Sequence, residues 1–283
     1  MAASHQIVNL GRASAIQMLR PFPAVACHLM KLVNGAEKVD FGEVSGVLMA
    51  DAAFSSQVLR VANSALFGPR YEVKTILQAL CVVGVDQLRD LVVTLALKEY
   101  VGNGDNLFLE RCWRHNLATA LWCEALAAHC NIDRPMGYTA GILHDIGRIA
   151  LLMLLPDDYA AFLDVSLTGD LDKLEAERKL CDADHCQVGD YLALSWNFSP
   201  ELGDVIAHHH DEVTSETPRM RLLVQAACTA ASMSGFHVAG PEQKWDPARL
   251  ELLLPKGSGL RPPCGDLMEN VAWKLNRTEC SLL

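Results

Sequence analysis

The 283-residue chain has few aromatic residues (6%), no long apolar run and no basic excess. Each shortage excludes something. The longest apolar runs, Leu91 to Leu97 with a threonine inside and Ile149 to Leu155, fall far below the roughly 18 residues needed to cross a bilayer. A formal net charge of -10 and an isoelectric point near 5.4 argue against a general affinity for nucleic acid or an anionic membrane, leaving room only for a local basic pocket. The ten cysteines form no Cys-x-x-Cys pair, which removes the usual zinc-ribbon and redox spacings. Most sit where an apolar helix residue would, as in Leu80-Cys81-Val82, and are expected as reduced thiols; Cys181 and Cys186 are the weak redox or zinc-thiolate alternative. Met1 to Arg20 lacks a charged, apolar and small-residue succession of the secretory kind, so the expected location is cytoplasmic. No strand-like alternation persists anywhere along the chain.

What remains is rich in helix formers. With 51% hydrophobic and 20% charged residues, the chain is expected to bury a large core without staples. Apolar residues recur at helical spacing in Val25, Leu29, Leu32 and Val33, in Val58, Leu59, Val61 and Ala62, and in Leu88, Leu91, Val92 and Leu95. Capping side chains before proline mark helix starts at Ser199-Pro200, Thr217-Pro218 and Asp246-Pro247. Pro156 is expected to end the preceding helix. The pattern predicts an all-α protein of about a dozen helices. A Gly and Asn cluster over Val101-Gly102-Asn103-Gly104-Asp105-Asn106 predicts a boundary between two helical lobes. The Gly- and Pro-interrupted stretch after about Gly235 reads as a peripheral extension.

The chemistry-bearing motif is Gly141-Ile142-Leu143-His144-Asp145-Ile146-Gly147-Arg148, an adjacent His-Asp pair in an apolar helical segment. It is followed much later by His208-His209-His210-Asp211. Imidazole and carboxylate can together ligate a divalent cation, and histidines from other helices can complete its shell. The bland alternative is a buried His-Asp hydrogen bond without metal. In the first lobe, Leu19-Arg20-Pro21-Phe22-Pro23-Ala24-Val25, Val58 through Gly68 with Asn63 and Ser64, and Ile76 through Gly84 form further distinctive segments. There Asn63 and Ser64 can turn a helix end, and Gly68 and Gly84 permit helix-terminating conformations. A ligand-lining role for Asn63 and Ser64 rests on polarity alone.

In this order and at these separations, the segments closely resemble the HDOD family, the HD-related output domains of bacterial signalling proteins. The resemblance implies a two-lobed, multi-helical HD-like fold. It implies an N-terminal extension over 1–14, an HDOD domain over 15–235 with lobes 15–101 and 106–235, and a C-terminal extension over 236–283. It also implies metal ligands at His115, His144, Asp145, His185, His208 and His209, holding one or two divalent ions. His208 and His209 are adjacent on one helix and point about 100° apart, so one ligates and one packs or two metals are involved; His210 is expected at the surface.

Two departures from the pattern matter. HD phosphohydrolases close the site with an aspartate on the following helix, where this chain offers Cys228. A thiolate suits zinc, whereas magnesium or manganese prefers oxygen. HD-GYP cyclic-dinucleotide phosphodiesterases carry Gly-Tyr-Pro after the paired histidines, where this chain reads Glu212 through Pro218. Arg148 stands where many HD hydrolases have lysine; it is either a bidentate phosphate donor or a solvated cation. The implied function is a regulatory module, non-catalytic, that binds a partner protein or small ligand. The alternative is a metal-dependent phosphohydrolase acting on a nucleotide or other phosphoester, favoured by the retained histidines. A nucleic-acid-binding helical protein is disfavoured by the acidic charge.

Overall fold

The computed structural model describes residues 19–34, 39–102, 106–166, 173–255 and 265–282. The expected extension over 1–14, Asn103-Gly104-Asp105 within the expected boundary, Lys256-Gly257-Ser258-Gly259, Pro262-Pro263 and Cys264 lie outside the described residues. Among the described residues there are helices and no strand. The first lobe holds α1 (Ala24–Asn34), α2 (Phe41–Met49), α3 (Ala52–Ala62), α4 (Ile76–Val83) and α5 (Val85–Val101). The second holds α6 (Leu107–Cys130), α7 (Arg134–Leu143), α8 (Ile146–Leu154), α9 (Pro156–Ser166), α10 (Lys173–Cys181), α11 (His185–Ser195), α12 (Pro200–His208) and α13 (Arg219–Met233). Beyond these come α14 (Pro247–Leu253) and α15 (Gly265–Leu282).

The helices outnumber the expected dozen because several apparent single helices are broken. At Gly84 the backbone adopts φ +77°, ending α4 and starting α5 at one residue, a conformation that a Cβ disfavours. Local side-chain chemistry sets the starts. Thr75 with Gln78 and Asp184 with Gln187 form reciprocal capping boxes, and Ser199 and Asp246 cap α12 and α14 ahead of a first-turn proline, as their sequence predicts. Thr217-Pro218 behaves differently. Pro218 is itself the N-cap, with extended ψ of 142°, and α13 starts one residue later. Thr217 instead accepts a hydrogen bond from the Thr214 backbone (2.9 Å), closing the preceding turn. Pro156 starts α9, since α8 has already ended at Leu154.

The 24-residue helix α6 is the axis of the second lobe, covered by α7, α13 and α15. Trp113, Leu117, Leu121, Trp122 and Leu126 on it are all buried, each contributing about 1.5–3 kcal/mol through burial. The lobes share one hydrophobic core. Phe22 stacks on Trp196 at 5.3 Å, and Tyr100 meets the same indole edge-on at 5.2 Å. Asn63 donates to the Val73 carbonyl (2.8 Å) and accepts from the Val73 N–H (2.7 Å), pinning the loop after α3. This is the structural role its sequence context allows. The segment after Gly235 is more than a fringe: Trp245 stacks on Trp122 at 5.6 Å, and Arg60 of α3 donates to the Leu282 carbonyl at 2.8 Å. Of the cysteines expected at apolar helix positions, Cys81 and Cys280 are exposed, whereas Cys112, Cys123, Cys130, Cys181 and Cys186 are buried.

Candidate metal centre and its ion-pair network

His144 and Asp145 do not lie within a helix. They form the break between α7 and α8, with His144 closing one and Asp145 (φ -107°, ψ 26°) opening the other. The break frees the two side chains from helical angular separation, and both line one cleft of about 630 Å³. His115 reaches it from α6, which begins two turns earlier at Leu107. At the end of α12 the histidines divide. His208, on the last helical residue, is exposed and its Nδ1 lies 2.9 Å from Asp211, so it does not join the group. His209 and His210 follow the helix end and both line the cleft. The ring of His210 is exposed on one side yet lies 4.3 Å from that of His209 and 5.0 Å from that of His185, centroid to centroid. Of the six expected ligands, five gather; His210 takes the place expected for His208.

Three imidazoles are held alike. Nδ1 of His115 donates to the Phe236 carbonyl (2.6 Å), that of His144 to Gly141 (2.6 Å) and that of His209 to Ile206 (3.0 Å). A carbonyl can only accept, so each ring keeps its proton on Nδ1 and offers an Nε2 lone pair. This is how ligating histidines are usually oriented. Among the described residues, His144 Nε2, His209 Nε2 and Asp145 Oδ1 are buried without a hydrogen-bond partner. Burial, against a weaker pull from Asp145, lowers His115 to about 4. It also drives His144 well below the ordinary histidine range, with His209 adding to the effect. His115 and His144 are therefore neutral, as ligation requires.

Cys228 stands where the motif pattern places it. Its Sγ lies 3.5 Å from His115 Nε2, and His115, His144 and Cys228 place one donor atom each within 4.8 Å of one another. Burial, with Asp145 nearby, pushes its thiol up to about 12. A second group, His185, His209 and His210, meets the same distance limit. Asp145 belongs to neither group.

Asp145 Oδ1 lies 3.4 Å from His185 Nε2, and its Oδ2 is taken by Arg148. The Arg148 Nε donates to Asp145 Oδ2 at 2.7 Å and its Nη1 to Glu177 Oε1 at 3.1 Å, with all three side chains at most 5% exposed. Its other amino group faces the His185 ring. Far from being solvated, it is the hub of a buried network that Tyr159 extends, donating to Glu177 Oε1 at 2.7 Å. Glu177 is the residue that sequence reasoning missed. It sits among charged neighbours in Lys-Leu-Glu-Ala-Glu-Arg-Lys of α10, a pattern that reads as a solvated face. It accepts from both the backbone N–H (2.9 Å) and Nδ1 (2.6 Å) of His185. Burial opposes its charge, but His185 and Arg148 outweigh it and hold the carboxyl at about 2, below its ordinary 4.5. For His185, burial and Arg148 disfavour the cation, and Glu177, Cys186 and Asp145 more than reverse this, raising it well above 6.5.

Glu177 therefore contributes stability that is present above pH 4.5 and lost as pH falls toward 2. Urea titrations across that window are expected to show a falling unfolding free energy, with a distinctly shallower acid limb in Glu177→Gln. Equal slopes in the two proteins would contradict the network.

Residues 236–254 close the cleft. Val238, Ala239, Gln243, Arg249 and Leu253 line it beside Lys173, whose Nζ donates to the Ala239 carbonyl at 3.1 Å. Among the described residues no helix is long and apolar enough to cross a membrane.

Comparison with known proteins agrees with this architecture. A protein from Shewanella amazonensis with a provisional phosphohydrolase name superposes with a TM-score of 0.71 at 24% identity, covering 97% of each chain. An HDOD domain protein of unknown function from Geobacter sulfurreducens gives 0.66 at 20% identity over 96% of each chain. A provisionally named signal transduction protein from Marinobacter aquaeolei gives 0.69 at 18% identity, with 99% of this chain covering 65% of that one. At these identities the likeness is one of fold. Among curated proteins, an uncharacterized protein from Treponema pallidum is 21% identical over 204 residues, 70% of this chain and 39% of that protein. Ribonuclease Y from Thermus thermophilus is 25% identical over 122 residues, 43% of this chain and 17% of the enzyme. The chain thus spans well under half the length of these relatives. Residues 19–212 match the HDOD domain family, more than half of the sequence. With its all-α, HD-like architecture, this chain belongs to the HDOD domain family.

Proposed function

We propose that the protein is a cytoplasmic regulatory module of bacterial signal transduction, which binds a partner protein or small ligand through an altered HD scaffold without turnover. The Arg148 clamp carries this reading. A guanidinium 2.7 Å from Asp145 Oδ2 neutralises the carboxylate that would share a metal's charge, and Glu177 holds that guanidinium from behind. With Cys228 at the position of the pattern's last aspartate, the two ligand groups among the described residues contain no carboxylate. The loss fits a scaffold kept for binding. The provisional signalling name of the Marinobacter structure is consistent with it.

A specific observation favours a second reading, a metal-dependent phosphohydrolase. The buried Nε2 atoms of His144 and His209 and Oδ1 of Asp145, without a hydrogen-bond partner among the described residues, suit a divalent ion, with His115 and His185 nearby. A bound ion would supply Lewis acidity toward a phosphoryl oxygen. Around it, Arg148, Lys173 and Arg249 would face an anionic substrate. The two readings separate in one assay. Protein loaded in turn with magnesium, manganese and zinc is expected to release no phosphate or phenol from nucleotides and nitrophenyl phosphodiesters above a His144→Ala/Asp145→Ala control. Turnover lost in that control would overturn the regulatory reading.

A further inference from the structure

The geometry points to a thiophilic ion of the zinc class as the ligand of the His115, His144 and Cys228 group. This deepens the regulatory reading and rests on it only for the ion's use. Of the two ligand groups among the described residues, this one contains sulfur and no carboxylate. Zinc bonded at about 2.3 Å to sulfur and about 2.0 Å to nitrogen, at tetrahedral angles, places those two atoms about 3.5 Å apart. Cys228 Sγ and His115 Nε2 are 3.5 Å apart. The lone pairs are already aimed, because the Phe236 and Gly141 carbonyls fix the tautomers of His115 and His144, and His144 Nε2 has no partner among the described residues.

Selectivity follows from what is missing. A hard ion such as magnesium needs oxygen donors, and this group offers none: Asp145 Oδ2 is held by Arg148, and its Oδ1 lies 3.4 and 3.9 Å from the Nε2 atoms of His185 and His209. Two imidazoles and a thiolate instead match zinc or cobalt(II). The other group competes poorly, since the cationic Arg148 guanidinium lies 3.1 Å from His185 Nε2, the atom that would have to meet the ion. Binding would also join α6, the α7 end and α13, and through the Phe236 carbonyl it would secure the C-terminal wall of the cleft.

Cobalt(II) added to chelator-treated full-length protein provides the test. A near-ultraviolet thiolate-to-cobalt charge-transfer band is expected to saturate at one equivalent, to be displaced by zinc and to survive a large excess of magnesium. Cys228→Ser should abolish the band, and Cys186→Ser, whose thiol lies 3.9 Å from His209, should retain it. No band in the wild type, an undiminished band in Cys228→Ser, or loss in Cys186→Ser would overturn the assignment. Should Cys228→Ser fail to fold, alkylation of the wild type decides: zinc must protect Cys228, and equal labelling with and without zinc overturns the idea. Phosphoester turnover by the zinc-loaded protein would overturn the regulatory reading while leaving the ion assignment intact. A missing band would do the reverse.

Discussion

Gly147→Ala is expected to destabilise the protein by about 3 kcal/mol or more, at the upper end of overpacking costs. A Cβ at that position would lie inside the contact radius of the His185 carbonyl oxygen and 2.6 Å from the Gly189 nitrogen. Both are backbone atoms, so no rotamer change relieves the clash. The whole start of α11 would have to retreat from α8. Because α11 begins at His185, the shift would also draw His185 away from Asp145, where Nε2 and Oδ1 are now 3.4 Å apart. Gly46, on the exposed face of α2, is the control, since a Cβ there meets nothing within 4 Å. Gly46→Ala should be neutral or raise stability by about 0.5–1 kcal/mol through helix propensity. Urea denaturation of the two variants measures the contrast, and comparable midpoints would disprove the close approach of α8 and α11.

Arg148→Ala should cost about 3–5 kcal/mol, the range for removing one partner of a buried ion pair. It takes the guanidinium from two carboxylates, Asp145 and Glu177, neither more than 4% exposed, and leaves His185 as the cation facing both. The deficit has a signature that simple cavity formation lacks. Without the guanidinium, the two carboxyls would gain protons more easily in the folded state, so the stability difference from wild type should shrink as pH is lowered. A methionine at the same position, which keeps volume but not charge, should show the same pH trend. Differential scanning calorimetry or urea melts between neutral and acidic pH would read it. A pH-independent deficit would show that Arg148 acts by packing alone.

How legible was this centre in advance? His115, His144, Asp145, His185, His209 and Cys228 were implied by the resemblance to the HD pattern, and the structure brings them to one region. The exchange of His208 for His210 was not. It depends on the helix ending at His208, so that His209 and His210 lie in the turn that follows it. Glu177 was hidden for a related reason. Its neighbours are charged, and only the docking of α10 against Arg148 and Tyr159 buries it. Likewise, nothing in the Gly-, Pro- and Lys-rich C-terminal stretch hinted that the Phe236 carbonyl would orient His115.

By itself the sequence determined the helical class, the capped helix starts at Ser199 and Asp246 and the apolar faces. These follow from local capping chemistry and periodicity, which act over a few residues, whereas the place of Cys228 came from the family resemblance. Only the tertiary structure decided that Asp145 pairs with Arg148, that Glu177 backs the pair, and that the chain after Gly235 walls the cleft. Those outcomes join groups up to 121 residues apart, as with His115 and Phe236. A buried charge takes whichever partner the packed helices bring within reach, and spacing along the chain does not encode that choice.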